Sequence, residues 1–204
     1  MPSSRDLNSG CWGNNAVTRC FLAAIPPSDL LNPVVDLMTL GRKAFPRQRW
    51  VCPENLHVTL AFFGDVDENR YHVLEETLAC CLDGIVISNF FLSGIGAFRR
   101  RGKPSVLWIQ ANSEGVDLLA ISQIADQVAH EVGLSGRGRS YHPHLTLARC
   151  EDGTKPLRWL ERRWAPPSIR GLAQVVLMNS VLTSRGPVYS ESRVFSSYTK
   201  EGGR

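Results

Sequence analysis

Apolar and polar positions along this chain follow two rhythms, and each marks a kind of element. The run VTRCFLAAI, 17–25, is short and apolar and stops at Pro26-Pro27, which predicts a buried strand. From Ser28 the period lengthens. Leu30, Val34, Leu37 and Met38 recur at helical spacing behind a Ser28/Asp29 cap signal, Pro33 sits near the first turn, and Gly41 and Pro46 supply the stop. NLHVTLAFFG, 55–64, alternates as a strand up to Gly64, and 67–82 predicts a helix capped by Asp67 with Gly84 just past its end. Two strands, 85–98 and 105–111, flank a basic turn, RRRGKP. A third helix spans 114–133, with Val116, Leu119, Ala120, Ile124 and Val128 expected on one side. RGRSYHPHLTLARC, 137–150, is a loop feeding a strand; 157–164 predicts a short helix. Strands at 173–184 and 188–198 close the pattern around an Arg185-Gly186-Pro187 turn.

Strands follow one another directly several times in this order, so the expected class is α+β with mainly antiparallel pairing, not a doubly wound parallel sheet. Two of the strands carry the same word. HVTL begins at His57 and HLTL at His144, 87 residues apart, one in each half of the chain. With five histidines and eight threonines in 204 residues, His-x-Thr is expected by chance about 0.2 times. An internal duplication is the simplest explanation, although only the word is visibly repeated.

Alternate residues of a strand share a face, so His57 projects with Thr59 and His144 with Thr146, while Val58, Leu60, Leu145 and Leu147 point into a core. If the halves pack about a pseudo-two-fold axis, the two polar pairs face each other across a cleft. Histidine titrates near neutrality, so one imidazole can take a proton while its partner donates one, and two hydroxyls can hold anionic oxygens. Such a set suits in-line attack on a phosphodiester and requires no metal.

Composition narrows the rest. The chain is 43% apolar and 21% charged, enough to bury one large core or two small lobes. A formal charge of +4 is compatible with an anionic ligand without identifying one. Its cysteines have no C-x-x-C spacing and are expected as free thiols in a reducing compartment. No segment has the length of a signal peptide's apolar core or a membrane span, so a soluble cytoplasmic protein is expected, with residues 1–15 as a flexible extension. His142, His144 and Cys150 could be imagined around zinc, but no fourth ligand has suitable spacing.

These words resemble the paired H-x-T-x motifs of the 2H phosphoesterase superfamily. RCFLAAIP, PENLHVTLAFFGDV, GAFRRRGKPSVLWIQ, YHPHLTLARC and SRGPVYSESRVF resemble the bacterial RNA 2′,3′-cyclic phosphodiesterases, also called 2′-5′ RNA ligases, from about Arg19 to Tyr198. The resemblance implies one bilobal α+β domain over 16–204, with two mainly antiparallel sheets, flanking helices and an active cleft between lobes related by a pseudo-two-fold axis. It implies metal-independent hydrolysis of a terminal 2′,3′-cyclic phosphate to a 2′-phosphate. His57 would be the proton donor to the leaving O3′, His144 the base on water, and Thr59 and Thr146 the phosphate ligands. It implies no cofactor, RNA ends or cyclic-phosphate nucleotides as partners, and a monomer.

Other candidates are read from position. Tyr141, where the family often has Phe, could stack on a base. Phe63 alternates with His57 and Thr59 and so could border the cleft. Arg149 has the wrong parity and reaches the cleft only if its strand ends or bulges first. Arg100 and Arg101, in the basic turn at 99–103, could track an RNA backbone. Three other readings stay open: the reverse reaction joining RNA ends, a non-catalytic module that recognises RNA ends, and a metal-dependent hydrolase built on His142 and His144.

Overall fold

Residues 17–135, 141–184 and 186–195 are described in this computed structural model, so the expected extension at 1–15, Cys11 and Arg185 lie outside the described residues. β1 (Val17–Ile25) ends at the two prolines, as expected. In α1 (Ser28–Ala44), Leu30, Val34, Leu37 and Met38 are buried, and the cap position is Pro27 rather than Ser28. This helix runs past Gly41, the expected stop, because Gly41 serves packing instead. A Cβ there would lie 2.4 Å from Trp50 Cη2. Trp50 belongs to a two-residue strand that periodicity is too short to mark, β2 (Arg49–Trp50). A 3-10 turn, Pro53–Asn55, then leads to β3 (Val58–Asp67).

α2 (Glu68–Leu82) starts where expected, with the Asp67 carboxylate accepting from Arg70 N. β4 (Ile87–Arg100) and β5 (Lys103–Ser113) form a hairpin closed by Arg101 and Gly102, at φ +51° and +77°, the pair of left-handed residues that suits a tight hairpin turn. α3 (Leu118–Glu131) corrects the expected stripe. Its buried side is Leu118, Ile121, Ser122, Ala125, Val128 and Ala129, and Leu119 is exposed. Of the expected residues, Val128 is buried and Val116 and Ile124 pack partly buried against the core, so Leu119 is the member that departs to solvent. β6 (His144–Arg149), α4 (Thr154–Glu161), β7 (Gly171–Thr183) and β8 (Gly186–Val194) complete the chain.

The fold is α+β and its pairings are antiparallel throughout. Strands β3-β1-β7-β8 form one half-sheet and β2-β6-β5-β4 the other. The halves are not separate, as expected, but joined edge to edge. Val58 pairs with Leu145 at one seam, and Ile87 and Phe90 pair with Ala173 and Gly171 at the other. The order therefore closes on itself as β1-β3-β6-β5-β4-β7, with each motif strand at the same seam. α2 and α3 pack on the first half-sheet and α4 on the second. Leu22, Leu60, Leu107, Ile109, Leu145, Leu147 and the buried helix faces share one core. On the other face of the first half-sheet, Phe21, Ala23, Val176 and Met178 form a smaller cluster beneath the open side.

Candidate active site

The seam between β3 and β6 is made by the residues that directly follow the two histidines, Val58 and Leu145. Antiparallel order then sets His57 toward Thr146 and Thr59 toward His144. Each imidazole is held in the same way. His57 Nδ1 donates to the carbonyl of Asn55 at 2.8 Å, and His144 Nδ1 donates to the carbonyl of His142 at 2.7 Å. In both, the acceptor lies two residues upstream. A ring anchored through Nδ1 presents Nε2 as its working nitrogen. At His57 that nitrogen accepts from the Thr59 hydroxyl at 3.0 Å.

Past each threonine the strand slips by one residue. Ala23 pairs with Thr59 but Leu22 with Ala61, so Leu60 bulges out of β3; Trp108 pairs with Thr146 but Leu107 with Ala148, so Leu147 bulges out of β6. The partner strands keep their alternation. Phe21 and Ala23 share a face, opposite Phe62 and Thr59; Val106, Trp108 and Gln110 share a face, opposite Arg149, Thr146 and His144. A bulge reverses side-chain parity. The fifth residue after each histidine, Phe62 or Arg149, is thereby turned to the same face as the motif pair. Each bulge has its own support. Buried Ser122 of α3 donates its hydroxyl to the Leu60 carbonyl at 2.7 Å, and Val51 N donates to the Leu147 carbonyl at 2.9 Å.

Aromatic rings flank both histidines. Phe21 and Tyr189 lie 4.9 and 5.3 Å from His57, and Phe98 meets His144 edge-on at 4.8 Å. Burial lowers the His57 pKa below its ordinary value, the bond to Asn55 opposes this, and the charge of His144 lowers it further. The two imidazoles are therefore electrostatically coupled. A cavity of about 610 Å³ opens beside them, lined by His57, Thr59, Phe62, Thr146, Arg149, Phe21 and Tyr189 and continuing over Arg42, Gln48, Arg49 and Trp50. His144 is not among its lining residues.

The other expected residues are placed as follows. Arg149 reaches the cavity through the bulge its parity demanded. Phe63 is a correction: it is 7% exposed in the main core, and Phe62, half exposed, takes the cavity position because of the Leu60 bulge. Tyr141 packs against the main core and does not line the cavity. Arg100 and Arg101 are exposed at the β4–β5 hairpin tip, away from the lining. Among the described residues no three of His, Cys, Asp and Glu are grouped to hold a metal, so His142, His144 and Cys150 do not assemble. Phe62, Tyr189, Arg42 and Arg49 were not anticipated. For Phe62 the signal is present, since the repeated word runs one letter further, HVTLA and HLTLA, through the bulge.

Known proteins resemble this chain in sequence and in fold. Residues 26–172 match the family described as the 2′-5′ RNA ligase superfamily. An RNA 2′,3′-cyclic phosphodiesterase of Archaeoglobus fulgidus is 32% identical over 149 residues, 70% of this chain and 80% of the relative. One of Methanothermobacter thermautotrophicus is 28% identical over 182 residues, 87% of this chain and 97% of the relative. The fold is similar to that of Escherichia coli LigT complexed with 3′-AMP, at TM-score 0.70 and 20% identity over 90% of this chain and 100% of that one.

Proposed function

The chain belongs to the 2′-5′ RNA ligase superfamily, and from that premise we propose that its cleft hydrolyses the 2′,3′-cyclic phosphate at an RNA end by two-histidine acid–base catalysis. It is an enzyme of the RNA 2′,3′-cyclic phosphodiesterase kind. The observation that carries the mechanism is the matched anchoring of both imidazoles on one seam, each through Nδ1 to a carbonyl two residues upstream.

In this reading His144 Nε2 takes a proton from water as the water oxygen attacks phosphorus. The P–O3′ bond breaks, and protonated His57 gives its Nε2 proton to O3′, leaving a 2′-phosphate. The hydroxyls of Thr59 and Thr146 donate to non-bridging oxygens, where negative charge grows in the transition state. In the resting site the Thr59 hydroxyl is turned to His57 Nε2. Protonation of His57 reverses that bond and releases the hydroxyl's proton toward the phosphate. Both histidines end a turnover in exchanged protonation states and reset through solvent.

The test is a short RNA ending in a 2′,3′-cyclic phosphate, incubated in excess EDTA with wild type, His57→Ala and His144→Ala. Conversion to the 2′-phosphate by wild type alone is expected. Activity that appears only when metal is restored would overturn the acid–base mechanism, and tight binding without turnover would make the cleft a recognition site.

A further inference from the structure

The residue two places upstream of each histidine does more than lend its carbonyl. Asn55 closes the 3-10 turn with its N–H on the Cys52 carbonyl at 2.9 Å, accepts from His57 Nδ1 at 2.8 Å, and donates its side-chain amide to the Pro187 carbonyl at 3.0 Å. Pro187 is near the tip of the β7–β8 hairpin, opposite Leu182, and lines the cavity with Gly186 and Tyr189. That tip is short of support of its own. Proline brings no N–H to the strand pair, and Val181, Leu182 and Val188 stand 63%, 65% and 57% exposed. The amide of Asn55 therefore ties a weakly held hairpin to the turn that orients His57.

His142 occupies the corresponding place before His144 and makes the corresponding link by ring packing. Its carbonyl accepts from His144 Nδ1, and its imidazole lies 4.6 Å from the Trp108 ring and 5.9 Å from that of Phe98. Both rings belong to the β4–β5 hairpin. Trp108 pairs with Gly96 across it and covers that glycine so closely that a side chain there would collide with the indole. On its other edge Trp108 pairs with Thr146. We infer that Asn55 and His142 are positioning residues, each fixing the tautomer of one imidazole by tying its anchor carbonyl to a separate hairpin, β7–β8 for His57 and β4–β5 for His144. A carbonyl selects the Nδ1–H form only while it is held against the ring, and that form leaves the lone pair on Nε2. The inference rests on the proposed reaction for what Nε2 then does, whereas the tautomers belong to the empty protein.

Long-range ¹H–¹⁵N correlation spectra of the unliganded protein, at a pH where both imidazoles are neutral, read each tautomer without relying on turnover. The signals are assigned with His57→Ala and His144→Ala. Wild type should show both histidines as Nδ1–H. Asn55→Ala should mix in the Nε2–H form at His57 alone, and His142→Ala at His144 alone. Asn55→Gln, which keeps an amide donor, should recover part of the wild-type form, and His142→Phe, which keeps a ring against Trp108, most of it. On a cyclic-phosphate RNA the two alanine variants should lower kcat about tenfold while changing KM less than about twofold, since a displaced acid or base costs mainly in the transition state. An unchanged tautomer at His57 in Asn55→Ala or at His144 in His142→Ala would overturn the inference. So would a change at both histidines from one substitution, or a His142→Phe protein no better than His142→Ala. Spectra as expected without hydrolysis by wild type would leave the link standing and count instead against the proposed reaction.

Discussion

β3 and β6 carry the same five-residue plan, HVTLA and HLTLA, yet they end differently and are held differently. One turns an aromatic ring to the cleft and the other a guanidinium, Phe62 against Arg149. The bulge in β3 is supported by a side chain, Ser122 of α3, and that in β6 by a backbone amide, Val51 N after β2. What is alike in the two strands is the position of the histidine and threonine. What differs is the chemistry offered to the rest of a ligand. Two strands with matched motif positions thus line a cleft whose two endings differ in chemistry.

The largest effects should come from the shared part. His57→Ala and His144→Ala should each lower kcat/KM by about 10²–10⁴-fold on a cyclic-phosphate RNA, and Thr59→Ala or Thr146→Ala by about 10- to 150-fold, the worth of a hydrogen bond to a charged group. Next come the two endings. Arg149→Ala should weaken kcat/KM about tenfold or more and flatten its dependence on salt; Phe62→Ala should cost about 1–3 kcal/mol while leaving the salt slope unchanged. Equal salt slopes would erase the distinction drawn between the strands. Ser122→Ala removes one donor to the buried Leu60 carbonyl and should cost about 1–3 kcal/mol of stability in a denaturant titration. It should also depress turnover through Thr59 and Phe62, whereas at Val51 only proline would remove the backbone N–H that serves β6.

The smallest effect is in pH. Burial, together with the charge of His144, lowers the His57 pKa in the empty site, so loss of its proton sets in early as pH rises. A bound phosphate anion favours the imidazolium and raises that value. The alkaline limb of kcat/KM, which reports the free enzyme, should therefore fall at lower pH than the alkaline limb of kcat, as macroscopic values of the coupled pair. Coincident limbs would mean that the anion does not sense His57.

The element order and the two polar pairs are legible in the sequence because periodicity and a repeated word are local signals. β1 and the cap of α2 match their expected positions, for Pro26-Pro27 and Asp67 act within a few residues. The misses occur where a partner elsewhere decides. Gly41 reads as a helix stop until Trp50 lies across it, and the expected stripe of α3 includes exposed Leu119 where Ile121 and Ala125 are the buried residues. Phe63 is expected at the cleft by strict alternation, which fails at the Leu60 slip. That slip has a trace in sequence, two consecutive apolar residues after each threonine, but an apolar doublet acquires meaning only once register is known. Arg49 lies in a strand too short for any periodicity to show, and its pairing with Arg149 spans 100 residues of chain.

One feature of the topology bears on how such a chain is made. β1 lies between β3 and β7 in the half-sheet that carries His57, so a strand near the front of the chain is completed by one near the back. On a ribosome, β1 and β3 emerge long before β7 and β8, while β4, β5 and β6 can pair as soon as they appear. The contiguous lobe can mature early and the other waits, with one edge of β1 lacking its neighbour until β7 is made. A chain terminated after β6 would contain both histidines and still lack β7, the strand that pairs with β1 from Cys20 to Ile25.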